Sequence, residues 1–130
     1  MANELILIIE DNEKNRKLAR DILQVKGYRT VEAETAETGL EQAAQQAPDL
    51  VLLDIHLPGM NGIEALKKLR EAEATRRIPV LAFTASVMPQ DRREIMEAGF
   101  DGFLSKPINL KEFIATVAKA LAKDQSGGAA

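Results

Sequence analysis

The chain has no cysteine and, at 4% of 130 residues, very few aromatics. Without thiols it has neither a disulfide framework nor a thiolate metal site, and it fits a reducing compartment. So few aromatic rings make base-stacking platforms for single-stranded nucleic acid a poor fit. Charge of one sign is also scarce, since the net charge is only −3. That gives no electrostatic reason to expect DNA or an anionic membrane as a partner. No run approaches the roughly 20 apolar residues of a membrane span. The start, "MANELILII", lacks the basic residues and the length of a signal peptide. There is no internal repeat. These absences leave a soluble, cytoplasmic, single-domain protein as the expectation. A chain of this size can bury about two-thirds of its unfolded surface.

What is present alternates. "ELILII" (4–9) reads as a strand that stops at "EDN". A helix follows, with Leu18, Ile22 and Val25 at helical spacing, Asn12 able to cap it and Gly27 able to end it. "YRTVEA" (28–33) is a second strand, and 36–47 a second helix, weakened by Gly39 and closed by Pro48. "LVLLD" (50–54) is a third strand. Asn61 and Glu64 open a third helix with Ile63, Leu66 and Leu69 inside. "PVLAF" (79–83) is a fourth strand running into Thr84. Pro89 and Gly99 bracket a fourth helix. "GFLS" (102–105) is a fifth strand. Asn109 and Glu112 open a last helix with Leu110, Phe113, Ile114, Val117 and Leu121 inside. Five strand–helix units imply an α/β fold, a doubly wound parallel sheet with helices on both faces. The expected flavodoxin-like order is 2-1-3-4-5, with ligands beyond the carboxyl ends of the strands. Residues 4–122 form this domain, and "KDQSGGAA" (123–130) reads as a disordered tail.

The stretch "LVLLDIHLPGMNG" (50–62) shows what those carboxyl ends hold. An interior strand, apolar on both faces, ends on Asp54. Strand one ends in Glu10 and Asp11, strand four in Thr84, strand five in Lys106. Turn-formers alone would scatter here. Instead three carboxylates, a hydroxyl and an amine meet on one rim. Two like charges 4 Å apart cost about 4 kcal/mol at an effective dielectric of 20. Raised pKa values or a bound cation relieve that. Hard oxygen donors without a His or Cys cluster favour Mg²⁺. A carboxylate with a metal on one side and an ammonium on the other suits a phosphoryl acceptor.

These residues resemble a known family. Glu10–Asp11, "DIHLPGMNG", Thr84–Ala85 and Lys106–Pro107 look like the signature of bacterial two-component response-regulator receiver domains. The order and spacing are ordinary for that family. "IIEDNEKNRKLARDIL" with "SKPI" looks closest to the stand-alone, DivK-type members and to the receivers of hybrid histidine kinases.

The resemblance implies that Asp54 is phosphorylated, with Asp11 and Asp54 ligating Mg²⁺. Glu10 would assist through water, and the backbone carbonyl of His56 would complete the protein's share. Lys106 would contact the phosphoryl group. Thr84 would move to bond it, and Phe103 would occupy the aromatic switch position. A cis Lys106–Pro107 bond is expected. Glu10 stands where Asp is more frequent, and Phe103 where Tyr is, so the switch works by packing alone.

The implied partners are a histidine kinase or histidine phosphotransfer protein upstream. Downstream, the expected partner is a protein target reached through the fourth helix, fifth strand and fifth helix. No output domain is expected after residue 122, so partner binding or onward phosphotransfer is expected, and not DNA binding. The implied function is a phosphorylation-activated switch that catalyses only its own phosphorylation and slow dephosphorylation. The His56 ring is expected to lie over the site and tune access of water. An aspartyl phosphohydrolase would want an acid/base Asp where His56 stands. A flavodoxin-type phosphate loop would want Ser, Thr or Gly where Glu-Asp-Asn stands.

Overall fold

A computed structural model describes residues 3–85 and 88–129, with side chains as far as residue 122. The tail read over 123–130 lies outside the residues whose side chains are described. Strand and helix alternate through β1 (Leu5–Ile9), α1 (Glu13–Val25), β2 (Arg29–Ala33), α2 (Ala36–Gln46) and β3 (Leu50–Asp54). The pattern continues with α3 (Gly62–Glu71), β4 (Val80–Thr84), α4 (Pro89–Ala98), β5 (Gly102–Ser105) and α5 (Leu110–Ala129). The sheet order is β2-β1-β3-β4-β5, and every neighbouring pair is parallel. This is the doubly wound arrangement that the alternation implies.

Side-chain alternation along the strands divides the core in two. Leu7, Ile9, Val51, Leu53 and Ala82 face one way, toward Ala43 of α2, Leu66 and Leu69 of α3 and Ile95 of α4. Ile6, Ile8, Leu50, Leu52, Leu81 and Phe83 face the other way, toward Leu23 of α1 and Phe113 and Val117 of α5. Helices on both faces are the reason β1, β3 and β4 are apolar almost throughout. The edge strand β2 has one covered side fewer and carries Arg29, Thr30 and Glu32.

Helix starts follow their caps. Asn12, Asn61 and Asn109 accept backbone amides from Asn15, Glu64 and Glu112 at 3.0, 2.9 and 3.0 Å. Pro89 opens α4 and Gly99 ends it. On α1 the apolar spacing does not mark the buried stripe, and on α5 the inward reading of Leu110 is corrected. Leu18 and Val25 do not face inward, being 46% and 83% exposed. The buried stripe of α1 lies one residue round the helix, on Ala19 and Leu23, with Ile22 at its margin. Spacing by residue type could not reveal this, because a small alanine takes the contact next to the sheet. Leu110, in the first turn of α5, is likewise 57% exposed.

Gly39 has a packing reason. A Cβ there would press into Ile9 Cδ1 and lie 2.7 Å from Ile9 Cγ1. Ile9 is wholly buried in β1 and has little room to turn. Gly39→Ala therefore sets about 1 kcal/mol of helix propensity against an overpacking cost of about 1–3 kcal/mol. The expected result is a net loss of about 1 kcal/mol, read as a lower urea midpoint at unchanged slope. A gain in stability would contradict this tight approach.

Candidate functional site

The carboxyl edge of the sheet gathers the residues that the sequence singles out. At the end of β1 the Glu10 amide bonds the Ala33 carbonyl at 3.0 Å, which carries the chain past the strand. The Glu10 side chain then turns inward and is wholly buried. Asp11 stays exposed, and Asp54 closes β3 in a buried position. Glu10, Asp11 and Asp54 offer ligand oxygens that all lie within 4.8 Å of one another.

Lys106 answers this negative charge from the loop after β5. Its Nζ lies 2.7 Å from Glu10 Oε1 and 3.1 Å from Asp54 Oδ2. The ammonium also sits 4.9 Å from the centroid of the Phe83 ring. Its backbone amide bonds the Thr84 carbonyl at 2.9 Å, so the end of β4 holds the residue in place. The Lys106–Pro107 bond is cis, as expected.

Asp54 is braced from its own loop. Its Oδ1 accepts the His56 amide at 2.9 Å. Gly62 lets α3 begin directly against the end of β3. A Cβ there would stand 2.6 Å from the Asp54 carbonyl oxygen and 2.8 Å from Ile55 Cα. The Gly62 amide bonds the Ile55 carbonyl at 3.0 Å, closing the loop that carries His56.

The His56 ring is exposed and is not one of the three clustered ligands. It borders a cavity of about 250 Å³ that also touches Ile55, Thr84 and, on α4, Asp91 and Ile95. Thr84 is buried at the end of β4. Phe103 pairs in register with Ala82 on β4 and is half-buried. The Arg92 guanidinium of α4 lies 5.1 Å from its ring centroid. The sequence readily places Asp54, Asp11, Thr84 and Lys106. It does not reveal that Glu10, the longer acid, reaches Lys106 directly, or that Arg92 covers Phe103. Each depends on side-chain reach between separate elements.

The donor set fits a hard divalent cation. Three carboxylates converge, and Asp11 leaves one side open for the waters that Mg²⁺ retains. Without such a cation the charge balance falls on Glu10 and Lys106. Burial is the largest influence on the Glu10 carboxyl and drives it up to about 7. Lys106 and the Asn12 amide pull it down, and Asp54 pushes it up again. Burial acts to lower the Lys106 ammonium. Its hydrogen bond to Glu10 and the charges of Asp54 and Glu10 outweigh that, so it is raised.

The Glu10 shift has a definite sign. A carboxyl with an ordinary value of 4.5 and a folded value of about 7 holds its proton longer in the folded state. Its contribution to stability is complete below 4.5 and is lost as pH rises through about 7. In chelator-treated protein, urea midpoints should therefore fall as pH is raised from 4.5 to 7. Glu10→Gln should remove that part of the slope. An unchanged slope in the variant would contradict the burial argument.

Comparison with known proteins bears on what this edge does. The response regulator receiver domain family matches residues 6–118. The polar-differentiation response regulator DivK of Brucella ovis is 41% identical over 112 residues, which is 86% of this chain and 91% of DivK. Among solved structures, the receiver domain of a Pseudomonas aeruginosa sensor histidine kinase superposes with a TM-score of 0.85 at 29% identity. That match covers 92% of this chain and 98% of the receiver, which is described with a magnesium ion coordinated in its active-site cleft. The Vibrio cholerae chemotaxis protein CheY4 superposes with a TM-score of 0.85 at 25% identity, covering 91% of this chain and 98% of its own.

Proposed function

The chain belongs to the response regulator receiver domain family and is a phosphorylation-dependent signalling switch; from that premise we propose that Asp54 is its phosphoryl acceptor. One observation carries the reading. Lys106 Nζ lies 3.1 Å from Asp54 Oδ2, on the rim where Glu10 and Asp11 bring further carboxylate oxygens within 4.8 Å.

An Asp54 oxygen forms the new O–P bond while the N–P bond of a donor phosphohistidine breaks, and the electron pair stays on the imidazole nitrogen. Asp11 and Asp54, with the His56 carbonyl and with Glu10 through water, are the residues that would hold Mg²⁺. The ion supplies charge neutralisation at the phosphoryl oxygens. Lys106 brings a positive charge to the same oxygens, and the His56 amide fixes the Asp54 carboxylate. On this reading the domain promotes its own phosphorylation and a slow return, with no steady turnover of other substrates.

The product carries new charge and strong acceptors beside Thr84 and Lys106. If Thr84 bonds the phosphoryl group, it draws toward it, and the cavity beside Thr84 gives neighbouring side chains room to follow. Phe103 then moves by packing, with no hydroxyl to anchor it. The readout surface is α4, β5 and α5; Met96 on α4 is 49% exposed, and Met88, the N-cap of α4, 53%. This surface suits a protein target, and a histidine kinase or phosphotransfer protein is the source of the phosphoryl group. No described helix is long and apolar enough to cross a membrane.

Intact mass after exposure to an acyl phosphate, and separately to phosphoramidate with its N–P bond, tests this reading. One base-labile phosphoryl group per chain is expected, only with Mg²⁺ and not in Asp54→Asn. The same adduct in Asp54→Asn, or none from either donor, would overturn it. In His56→Ala the adduct's lifetime should change. An equal lifetime would remove the ring from any role at the site.

A further inference from the structure

Arg16 plays no part in the reading so far, yet it is tied to the acidic rim. As the fourth residue after the Asn12 cap, it lies where a helical side chain leans back toward the N-terminus. The side chain is only 12% exposed. Each nitrogen of its guanidinium has its own partner. Nη1 donates to the Glu10 carbonyl oxygen at 2.9 Å. Nε donates to Glu32 Oε1 at 3.2 Å and Nη2 to Glu34 Oε1 at 3.4 Å. Arg20 holds the other oxygen of Glu32, with Nη1 3.3 Å from Oε2.

The Glu10 carbonyl shares its peptide plane with the Asp11 amide. No described backbone amide bonds that carbonyl outside the regular elements, and Arg16 supplies its donor. The turn between β1 and α1 consists of Glu10, Asp11 and Asn12 alone. It is held by the Ala33 carbonyl at its start, by the Asn12 amide donating to Glu10 Oε2 at 3.0 Å across it, and by the Asn12 cap at its end. Arg16 fixes the plane between them. Glu32 and Glu34 pair with the guanidinium, and its Nη1 brings a directional donor to the Glu10 carbonyl.

We propose that Arg16 is the positioning residue of the acidic site, setting the peptide plane that presents the Asp11 carboxylate to Mg²⁺. This rests on the Mg²⁺ reading above. Partners that orient metal ligands typically govern about 10–100-fold in metal affinity. Arg16→Met keeps the apolar stem and removes every donor. Arg20→Met removes the neighbouring guanidinium from the same Glu32 but leaves the Glu10 carbonyl untouched.

The test is Mg²⁺ titration by calorimetry, with amide chemical shifts of the metal-free proteins as a second readout. Arg16→Met should bind Mg²⁺ about tenfold more weakly and displace the Asp11 and Asn12 amide resonances. Arg20→Met should leave both near wild type. Affinity within about twofold of wild type in Arg16→Met, or an equal loss in Arg20→Met, would overturn the proposal while the metal site stands. If wild type itself fails to take up Mg²⁺, the metal reading fails and this proposal with it. Should Arg16→Met not fold, Arg16→Lys decides the question. It keeps a positive charge but cannot reach the carbonyl and both carboxylates together. Displaced Asp11 and Asn12 amide resonances with weakened Mg²⁺ affinity support the proposal, and displaced resonances with wild-type affinity overturn it.

Discussion

Like charges held together at the end of an apolar sheet are costly, and the rest of the site follows from that cost. Glu10 and Asp54 are buried, Asp11 stands beside them, and the Lys106 ammonium contacts both buried acids. Each unit charge in such surroundings interacts with its neighbours by several kcal/mol. The domain does not neutralise the rim fully. It leaves Glu10 inclined to keep a proton and Asp11 open to solvent. A rim kept in this condition gains from any group that brings positive charge, and it is sensitive to any that brings more negative charge.

The fold is what keeps these charges together. Parallel strands end on one edge, and the register sets Asp54 level with Phe83 and Thr84 level with Ser105. Both faces are covered by helices, so the strands themselves have no polar freedom. All the chemistry is therefore displaced to the loops beyond their ends. Two close approaches sharpen this. Gly39 brings α2 down on Ile9, the residue before Glu10, and Gly62 brings α3 down on the Asp54 carbonyl. The two strands carrying the acids are each clamped by a helix that glycine allows to come near.

Much of this was legible in the residue pattern. Strand ends, helix caps and the order of the sheet follow from local rules, and Asn12, Asn61 and Asn109 cap as their positions imply. Asp54, Asp11, Thr84 and Lys106 can be picked out because each follows an apolar strand. On α1 the apolar Leu18 and Val25 keep helical spacing, but the sheet buries the stripe of Ala19 and Leu23. Leu110, read as inside, lies in the first turn of α5 and stays exposed. Arg16 and Arg92 were missed because their roles lie in reach, across from one element to another. A charge pattern on a helix shows which residues are charged, and not which carbonyl or ring they meet.

On the reading proposed for Asp54 and its neighbours, the acidic rim is a cation site whose repulsion Mg²⁺ relieves. Thermal unfolding of the phosphate-free protein near neutral pH, with Mg²⁺ or with sodium at matched ionic strength, tests it most directly. At about ten times the dissociation constant, binding should add ~1.4 kcal/mol. For a domain of this size that raises the melting temperature by roughly 4–6 °C. Asp11→Asn should abolish that rise. No Mg²⁺-specific shift, or the same shift in wild type and Asp11→Asn, would contradict the claim.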